Sequence, residues 1–372
     1  MNPRLLDFLR CIDCREPLDL EALAVSPDRL EETWVGLLHC RGGHWFPVVR
    51  GIPRMFAGAM EEYWPDVEAH LSSSLREAVR RRGDGHAVGY DSRTRESFGL
   101  EWQNFQVGDQ TWGMDVDTRV KCFFLDPLRI PREHLEGKVV LDAGCGNGTQ
   151  SVAYSALGLE VIAVDLSSGL EHGNAYRQLH PGARPERVHF VQADLQATPL
   201  AEASVDIIHA AGVLHHTPDT RHTFRLLCRL LRPGGTFFVW LYGYERGVTP
   251  LVNGIRSITT RLPARTFTWV AQRLAGAFRV FCRVADATGI RSYPVLSQRE
   301  AVLALTDIFG APYAHCHSYP EVRQWFMEEG FDEVWPCNEG RRGFGAVGRR
   351  RGAWTEREHD GERRPASVGT SR

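Results

Sequence analysis

Residues 139–150 read Val-Val-Leu-Asp-Ala-Gly-Cys-Gly-Asn-Gly-Thr-Gln. The apolar run Val139 to Leu141 has the pattern of a parallel strand buried on both faces. Asp142 ends it, Gly144, Gly146 and Gly148 follow at alternate positions, and a helical pattern begins near Thr149. A glycine is required where a Cβ would block a tight turn or the approach of a ligand to the backbone. Such strand-turn-helix corners bind nucleotide-like ligands at the carboxyl ends of the strands in open α/β sheets. A dinucleotide fingerprint would place its third glycine at position 149, which is Thr149, and no lysine follows with P-loop spacing.

The following segments keep the same register. Glu160 to Asp165 is a second apolar strand ending in an acid, placed to accept hydrogen bonds from ribose hydroxyls. Leu166-Ser167-Ser168 then opens a helix, with Ser167 as N-cap. Val188 to Leu195 is a third strand ending in Ala193-Asp194-Leu195, and Ile207 to Ala210 a fourth. Arg232-Pro233-Gly234-Gly235 reads as a turn before a fifth strand, Thr236 to Leu241. This arrangement resembles the class I S-adenosylmethionine-dependent methyltransferases of the type 11 kind, closely over about residues 138–242. The resemblance implies a Rossmann-like, seven-stranded α/β sheet. It implies a cofactor site of Asp142, Ala143, Gly144, Cys145, Gly146, Asp165, Leu166, Ala193, Asp194, Leu195 and Ala211. Within that set Asp142 helps hold the methionine amino group, Asp165 the ribose and Asp194 the adenine amino group.

Towards the N-terminus, Cys11-x2-Cys14 is followed, after 25 intervening residues, by Cys40-x3-His44. Three sulfurs and one imidazole suffice for a closed tetrahedral structural zinc site, with no open position for chemistry. The run Trp45 to Met55 resembles the tail of the Trm112-like zinc ribbon, and Trp34 to His39 reads as a strand within it. A metal-free ribbon is the competing reading. The aromatic stretch Thr94 to Phe105 resembles a Ser-Phe-Gly-x-Glu-Trp signature that precedes the catalytic domain in some bacterial members of the family. Phe98, Trp102 and Phe105 then either line the active site or pack a domain junction. Asp117 to Leu128 is expected as a helix with Val120, Phe123, Phe124 and Leu128 on its apolar side.

Beyond the fourth strand lies Val213-Leu-His215-His216. Either histidine is placed to take a proton from the acceptor, since imidazole titrates near working pH; of the two, His215 is favoured. The competing role is to position the loop, with Thr217 and Asp219 starting the next helix. Between Arg246 and Glu300 there are nine arginines and two acids, with Phe267, Val270, Leu274, Phe278, Phe281 and Val284 at helical spacing. A buried helical hairpin or dimer contact is expected there; a substrate lid, or a face resting on a membrane surface, is the alternative. His315-Cys-His317 reads as loop rather than a second metal site.

The expected organisation is a zinc ribbon over 1–57, a helical linker and aromatic cap over 58–130, and a methyltransferase domain over 131–348. That domain carries a helical insertion at about 245–310, and a disordered tail follows over 349–372. The 43% hydrophobic and 24% charged content is that of a globular protein, and the net charge of −2 gives no overall attraction to nucleic acid. No apolar run reaches membrane-spanning length and the first residues lack a signal-peptide pattern. A cytoplasmic enzyme is therefore expected, its nine cysteines thiols or metal ligands. The acceptor is expected to be a small molecule. RNA methylation, with the ribbon gripping RNA, is one alternative and a non-catalytic partner-binding protein another. Oligomeric state and the acceptor atom are not legible.

Overall fold

A computed structural model describes residues 1–29, 31–82, 92–103, 105, 109–177, 180–288, 297–340 and 342–352. Four short strands come first: β1 (Asp19–Val25), β2 (Thr33–His39), β3 (Trp45–Val49) and β4 (Ile52–Met55). Helices α1 (Ala59–Glu62), α2 (Trp64–Glu68), α3 (Ser73–Arg82) and α4 (Ser92–Gln103) follow. Next is a continuous helical run of α5 (Val116–Val120), a π-turn at Lys121–Leu125 and α6 (Asp126–Leu128). The α/β part then alternates β5 (Val139–Ala143), α7 (Thr149–Ser155), β6 (Glu160–Asp165), α8 (Leu170–Tyr176), β7 (Val188–Ala193), β8 (Val205–Ala211), α9 (Thr220–Cys228) and β9 (Leu231–Tyr242). Three helices, α10 (Val248–Thr259), α11 (Ala264–Ala287) and α12 (Gln298–Leu305), lead through a second π-turn, Thr306–Gly310, to α13 (Tyr319–Glu328). The hairpin β10 (Phe331–Cys337) and β11 (Gly343–Arg350) closes the chain.

The strand order is β1-β2-β3-β4-β7-β6-β5-β8-β9-β11-β10. Strands β5 to β9 are parallel neighbours and β11 enters antiparallel between β9 and β10. Every residue of β5 and β7 is buried, as expected of parallel strands covered on both faces. The sheet has eleven strands instead of the expected seven. The excess is the N-terminal meander, whose last strand pairs in parallel with β7 through Arg54↔Gln192 and Met55↔Ala193. That junction is polar at its centre. Fully buried Arg54 donates to Gln192 Oε1 (2.9 Å) and to Glu171 Oε1 (3.0 Å). Buried Arg177 pairs with Glu32 at 2.7 Å and donates to the Val188 carbonyl at the start of β7. Arg15 donates to the carbonyls of Thr198 and Leu200 at 2.8 and 2.5 Å.

Other sequence expectations shift at their ends. Arg232 to Gly235 lies inside β9, where the pairing jumps from Val205↔Leu231 to Ile207↔Thr236, so these residues bulge out of the ladder. Helix α8 begins at Leu170; Ser167 stands before it and accepts from Gly169 N at 3.3 Å, without capping the helix. Asp219 does cap α9, accepting from His222 N. Strand β11 runs to Arg350, two residues into the expected tail, and residues 353–372 lie outside the described residues. The apolar stripe of α11 divides. Phe267 is buried and Val270 and Phe278 are half-buried, but Leu274, Phe281 and Val284 are more than half exposed. The packed face is instead made of Ala271, Ala275, Cys282 and Ala285, small residues that let a neighbouring helix approach closely.

Candidate active site

The strand order reverses at β5, so the crevice beyond its carboxyl end is the expected ligand site. A cavity of about 710 Å³ opens there. On one side it is lined by Gly144, Asp165, Leu166, Asp194, Leu195 and Ala211, six of the eleven predicted cofactor residues. The other five, Asp142, Ala143, Cys145, Gly146 and Ala193, do not line it. Asp142 is 5% exposed: Ser151 Oγ donates to its Oδ2 (2.6 Å) and His209 Nδ1 stands 3.2 Å from its Oδ1. The other ring nitrogen of His209 is 3.2 Å from the carbonyl of Phe123, in the first π-turn. The acid of the glycine loop is thereby tied to the helical run that precedes the sheet.

The loop conformation depends on its glycines. Gly144 has φ +74°, and a Cβ there would stand 2.3 Å from Val213. Gly146 has φ +58°, and a Cβ there would enter the Trp102 indole at 2.5 Å. Asp165 accepts from Gly146 N through one oxygen and from Ser167 N through the other, both at 2.7 Å. Burial raises its pKa against those favourable hydrogen bonds. Each oxygen keeps a lone pair that a ligand hydroxyl can engage. Asp194 accepts from Gln196 N at 2.8 Å.

The rest of the lining is aromatic and ionisable. Phe98, Trp102, Trp112, Phe123, Trp240 and Tyr242 contribute to it, Trp102 against the glycine loop, whereas Phe105 is buried outside the lining. His215 and His216 both line the cavity and are almost fully buried. His215 stacks on Tyr242 with centroids 4.0 Å apart, and its Nδ1 has no hydrogen-bond partner among the described residues. Burial, and the neighbouring His216, His317, His315 and Arg256, hold its pKa well below 6.5, so it is neutral at neutral pH. His216 Nδ1 is 2.7 Å from the Tyr313 carbonyl. Its Nε2 lies 3.1 Å from Asp307 Oδ1, off the direction a hydrogen bond needs.

Three residues that line the cavity were not singled out from the sequence as site residues. Asp307 sits in the second π-turn and accepts the Tyr242 hydroxyl. Glu101 is buried beside it, accepting from Thr306 Oγ1 at 3.3 Å. Burial and the adjacent Asp307 keep the Glu101 carboxyl well above the usual range. Arg119 also reaches the cavity, where it is bonded to Thr111 and, at 3.0 Å, to Gln150. The one available signal was the Glu101 position inside the aromatic signature; Asp307 and Arg119 sit in segments without motif.

Comparison with known proteins fits this geometry. A family model described as a methyltransferase domain matches residues 141–239. The ubiquinone biosynthesis O-methyltransferase of Aromatoleum aromaticum is 30% identical over 219 residues, 56% of this chain and 92% of that protein. The chain belongs to the class I methyltransferases. An uncharacterized methyltransferase of Mycobacteroides abscessus is 34% identical over 130 residues, 33% of this chain and 49% of that protein. The chain thus spans about half the length of that curated relative. Among solved structures, magnesium protoporphyrin IX methyltransferase of Synechocystis, with bound SAH, aligns at 17% identity. That alignment covers 75% of this chain and 95% of the other, with a TM-score of 0.38. The matched segment of this methyltransferase holds Asp142, Asp165, Asp194, His215 and His216, but neither Arg119 nor Asp307.

A second cluster lies far along the sheet. Cys11, Cys14, Cys40 and His44 hold their ligand atoms within 4.8 Å of one another. Cys11 Sγ and Cys40 Sγ stand 3.4 and 3.3 Å from His44 Nδ1, and Cys14 Sγ is 3.5 Å from Cys40 Sγ. Zinc bonds of ~2.3 Å to sulfur and ~2.0 Å to nitrogen give tetrahedral edges of roughly 3.5–3.8 Å, which this set fits. It is the one such cluster among the described residues; His315 and His317 lie between the second π-turn and α13.

Proposed function

We propose that this methyltransferase transfers the methyl group of S-adenosylmethionine to a hydroxyl of a small, largely apolar acceptor. The observation that carries the reading is a single cavity bounded by two strand-tip carboxylates at one end and by a histidine-tyrosine-aspartate wall at the other. Asp165 would hold the ribose and Asp194 the adenine amino group, with Leu166 and Leu195 against the base. Arg119, a cation in the same cavity, would meet the methionine carboxylate. When bound, S-adenosylmethionine supplies an electrophilic methyl on sulfur, and transfer is an in-line displacement that depends mainly on alignment. The aromatic wall would orient the acceptor and exclude water. His215, neutral and with an unpartnered nitrogen, would take the hydroxyl proton, while His216, held by the Tyr313 carbonyl and Asp307, keeps the loop in place. Two further features support a small acceptor: six aromatic side chains line the cavity, and the relative that this chain nearly spans is named for ubiquinone biosynthesis.

The N-terminal cluster would bind one structural zinc in a Trm112-like ribbon, with domain limits near residues 57 and 130. None of the nine cysteines is in a disulfide, which suits a reducing cytoplasm. The test is calorimetric titration of the full chain with S-adenosylmethionine, beside Asp165→Ala and Asp194→Ala. The parent should bind and each variant should bind at least tenfold more weakly. A folded parent that does not bind would overturn the reading.

A further inference from the structure

Helices α10 and α11 present apolar side chains to solvent in an ordered way. On α10 the residues are Leu251 (65% exposed), Ile255 and Ile258 (68%), with Leu262 just beyond its end. Their spacings of four, three and four place them on one face, within an arc of about 60°. On α11 they are Trp269, Leu274, Val280, Phe281 and Val284, each 52–59% exposed. At 100° per residue these five fall within an arc of about 140°. The alanine face of α11 is the one that packs inward. The outer stripes are therefore a second amphipathic pattern, on the side away from the protein.

Charge decides what covers them. The segment 246–300 carries nine arginines and two acids. One acid, Glu300, is buried, with its carboxylate on Gly113 N and Ser297 N. Arg265 and Arg283 lie on one line along α11, about 40° outside the margin of the apolar arc, and both are exposed. Arg273 lies within the arc, its guanidinium over the Trp269 ring. A second copy docking by the same face would bring two arginine-rich, acid-poor faces together. An anionic lipid surface meets both features together: acyl chains take the apolar stripe, and long cationic side chains at its margin reach back to the headgroups. No helix among the described residues is long and apolar enough to cross a membrane.

We propose that α10 and α11 lie on the surface of an anionic phospholipid bilayer. The same helices hold the cavity wall. Arg256 of α10 donates to the carbonyls of Ile308 (2.8 Å) and Ala311 (2.7 Å), and Thr259 to that of Phe309 (2.6 Å). Phe267 of α11 packs so closely on Gly310 that a Cβ there would stand 2.6 Å away. The segment so held is the π-turn that carries Asp307 into the cavity. Docking would thus set the cavity mouth beside a bilayer that dissolves apolar acceptors.

The experiment is co-sedimentation of the full chain with vesicles of equimolar phosphatidylglycerol and phosphatidylcholine, and with pure phosphatidylcholine vesicles. The parent should pellet with the mixed vesicles and only weakly with the neutral ones. Arg265→Gln with Arg283→Gln should weaken partitioning about 30-fold, at roughly fivefold per charge near the surface. Leu274→Ser with Phe281→Ser should weaken it at least as much. All these positions are exposed, so both variants should melt like the parent and keep its S-adenosylmethionine affinity, which separates this result from any failure of the cofactor site. A parent that stays in the supernatant, or pellets equally with both vesicle types, overturns the proposal. So does a concentration-dependent dimer in sedimentation equilibrium that Leu274→Ser with Phe281→Ser abolishes, because a second copy would then be the occupant.

Discussion

His215 and Glu101 face the same cavity with pKa values displaced in opposite senses, and both displacements come from burial. Burial disfavours whichever form is charged, so the imidazole is pushed down and the carboxyl up. For His215 the consequence is kinetic. If it accepts the acceptor's proton, the acid limb of the kcat/KM profile should lie well below pH 6.5, and His215→Ala should lower kcat about 100-fold while leaving S-adenosylmethionine affinity unchanged. A variant with parental kcat would leave His215 a purely structural role. For Glu101 the consequence is stability. The unfolded carboxyl ionises near 4.5, the folded one only at higher pH. Its favourable contribution is therefore complete below pH 4.5 and is lost as pH rises towards the folded pKa. Glu101→Gln keeps the shape without the ionisation. In thermal melts from pH 5 to 8, its Tm advantage over the parent should widen as pH rises. A constant gap would place the carboxyl's charge outside the stability balance.

At the scale of elements, the junction of β4 with β7 joins the N-terminal meander to the parallel sheet, and Arg54 is its centre. The guanidinium is fully buried, bonded to Gln192, Glu171 and the Val49 carbonyl, and lies 4.6 Å over the Tyr63 ring. Glu171 is itself about one-third exposed and also pairs with Arg50, so water screens part of its loss. Arg54→Ala should then cost about 3 kcal/mol, mainly through the vacated volume and the broken buried hydrogen bonds. Chemical denaturation would measure it, and a change below about 1 kcal/mol would mean that the meander docks without this residue. The parallel strands were legible because burial on both faces writes an uninterrupted apolar run, as in Val139 to Leu141 and Val161 to Val164. Asp165 and Asp194 were legible because a strand-tip acid follows such a run. The β4–β7 pairing was not, since two residue pairs between strands 138 positions apart leave no periodic signal. Nor was Asp307: a π-turn has no composition of its own, and an aspartate after a helix reads as solvent-facing. On α11 the pattern of large apolar residues held only for Phe267, because the rest of the packed face is made of the small residues Ala271, Ala275, Cys282 and Ala285.

At the scale of the whole molecule, the meander and the methyltransferase sheet form one continuous eleven-stranded layer. The Cys/His cluster sits among the turns at one end of that layer, while the cavity lies beyond the switch point at β5. A metal at the cluster would therefore act on the sheet and not on the chemistry. Cys11 and Cys40 are buried and belong to the same core cluster as Leu38, Val191 and Ala193, which links the metal turns to the strand before Asp194. Metal analysis of the purified chain should find one zinc per molecule, and none in a Cys14→Ser, Cys40→Ser double variant. A strong chelator should lower the Tm by at least about 5 °C, since losing a few kcal/mol moves the midpoint of a chain this size by several degrees. S-adenosylmethionine affinity, measured below the new midpoint, should fall less than tenfold, because no ligand of the cluster lines the cavity. A chain that carries no metal and melts identically with chelator would make the ribbon metal-free. An affinity lost completely while the sheet stays folded would instead make the N-terminal meander part of the cofactor site.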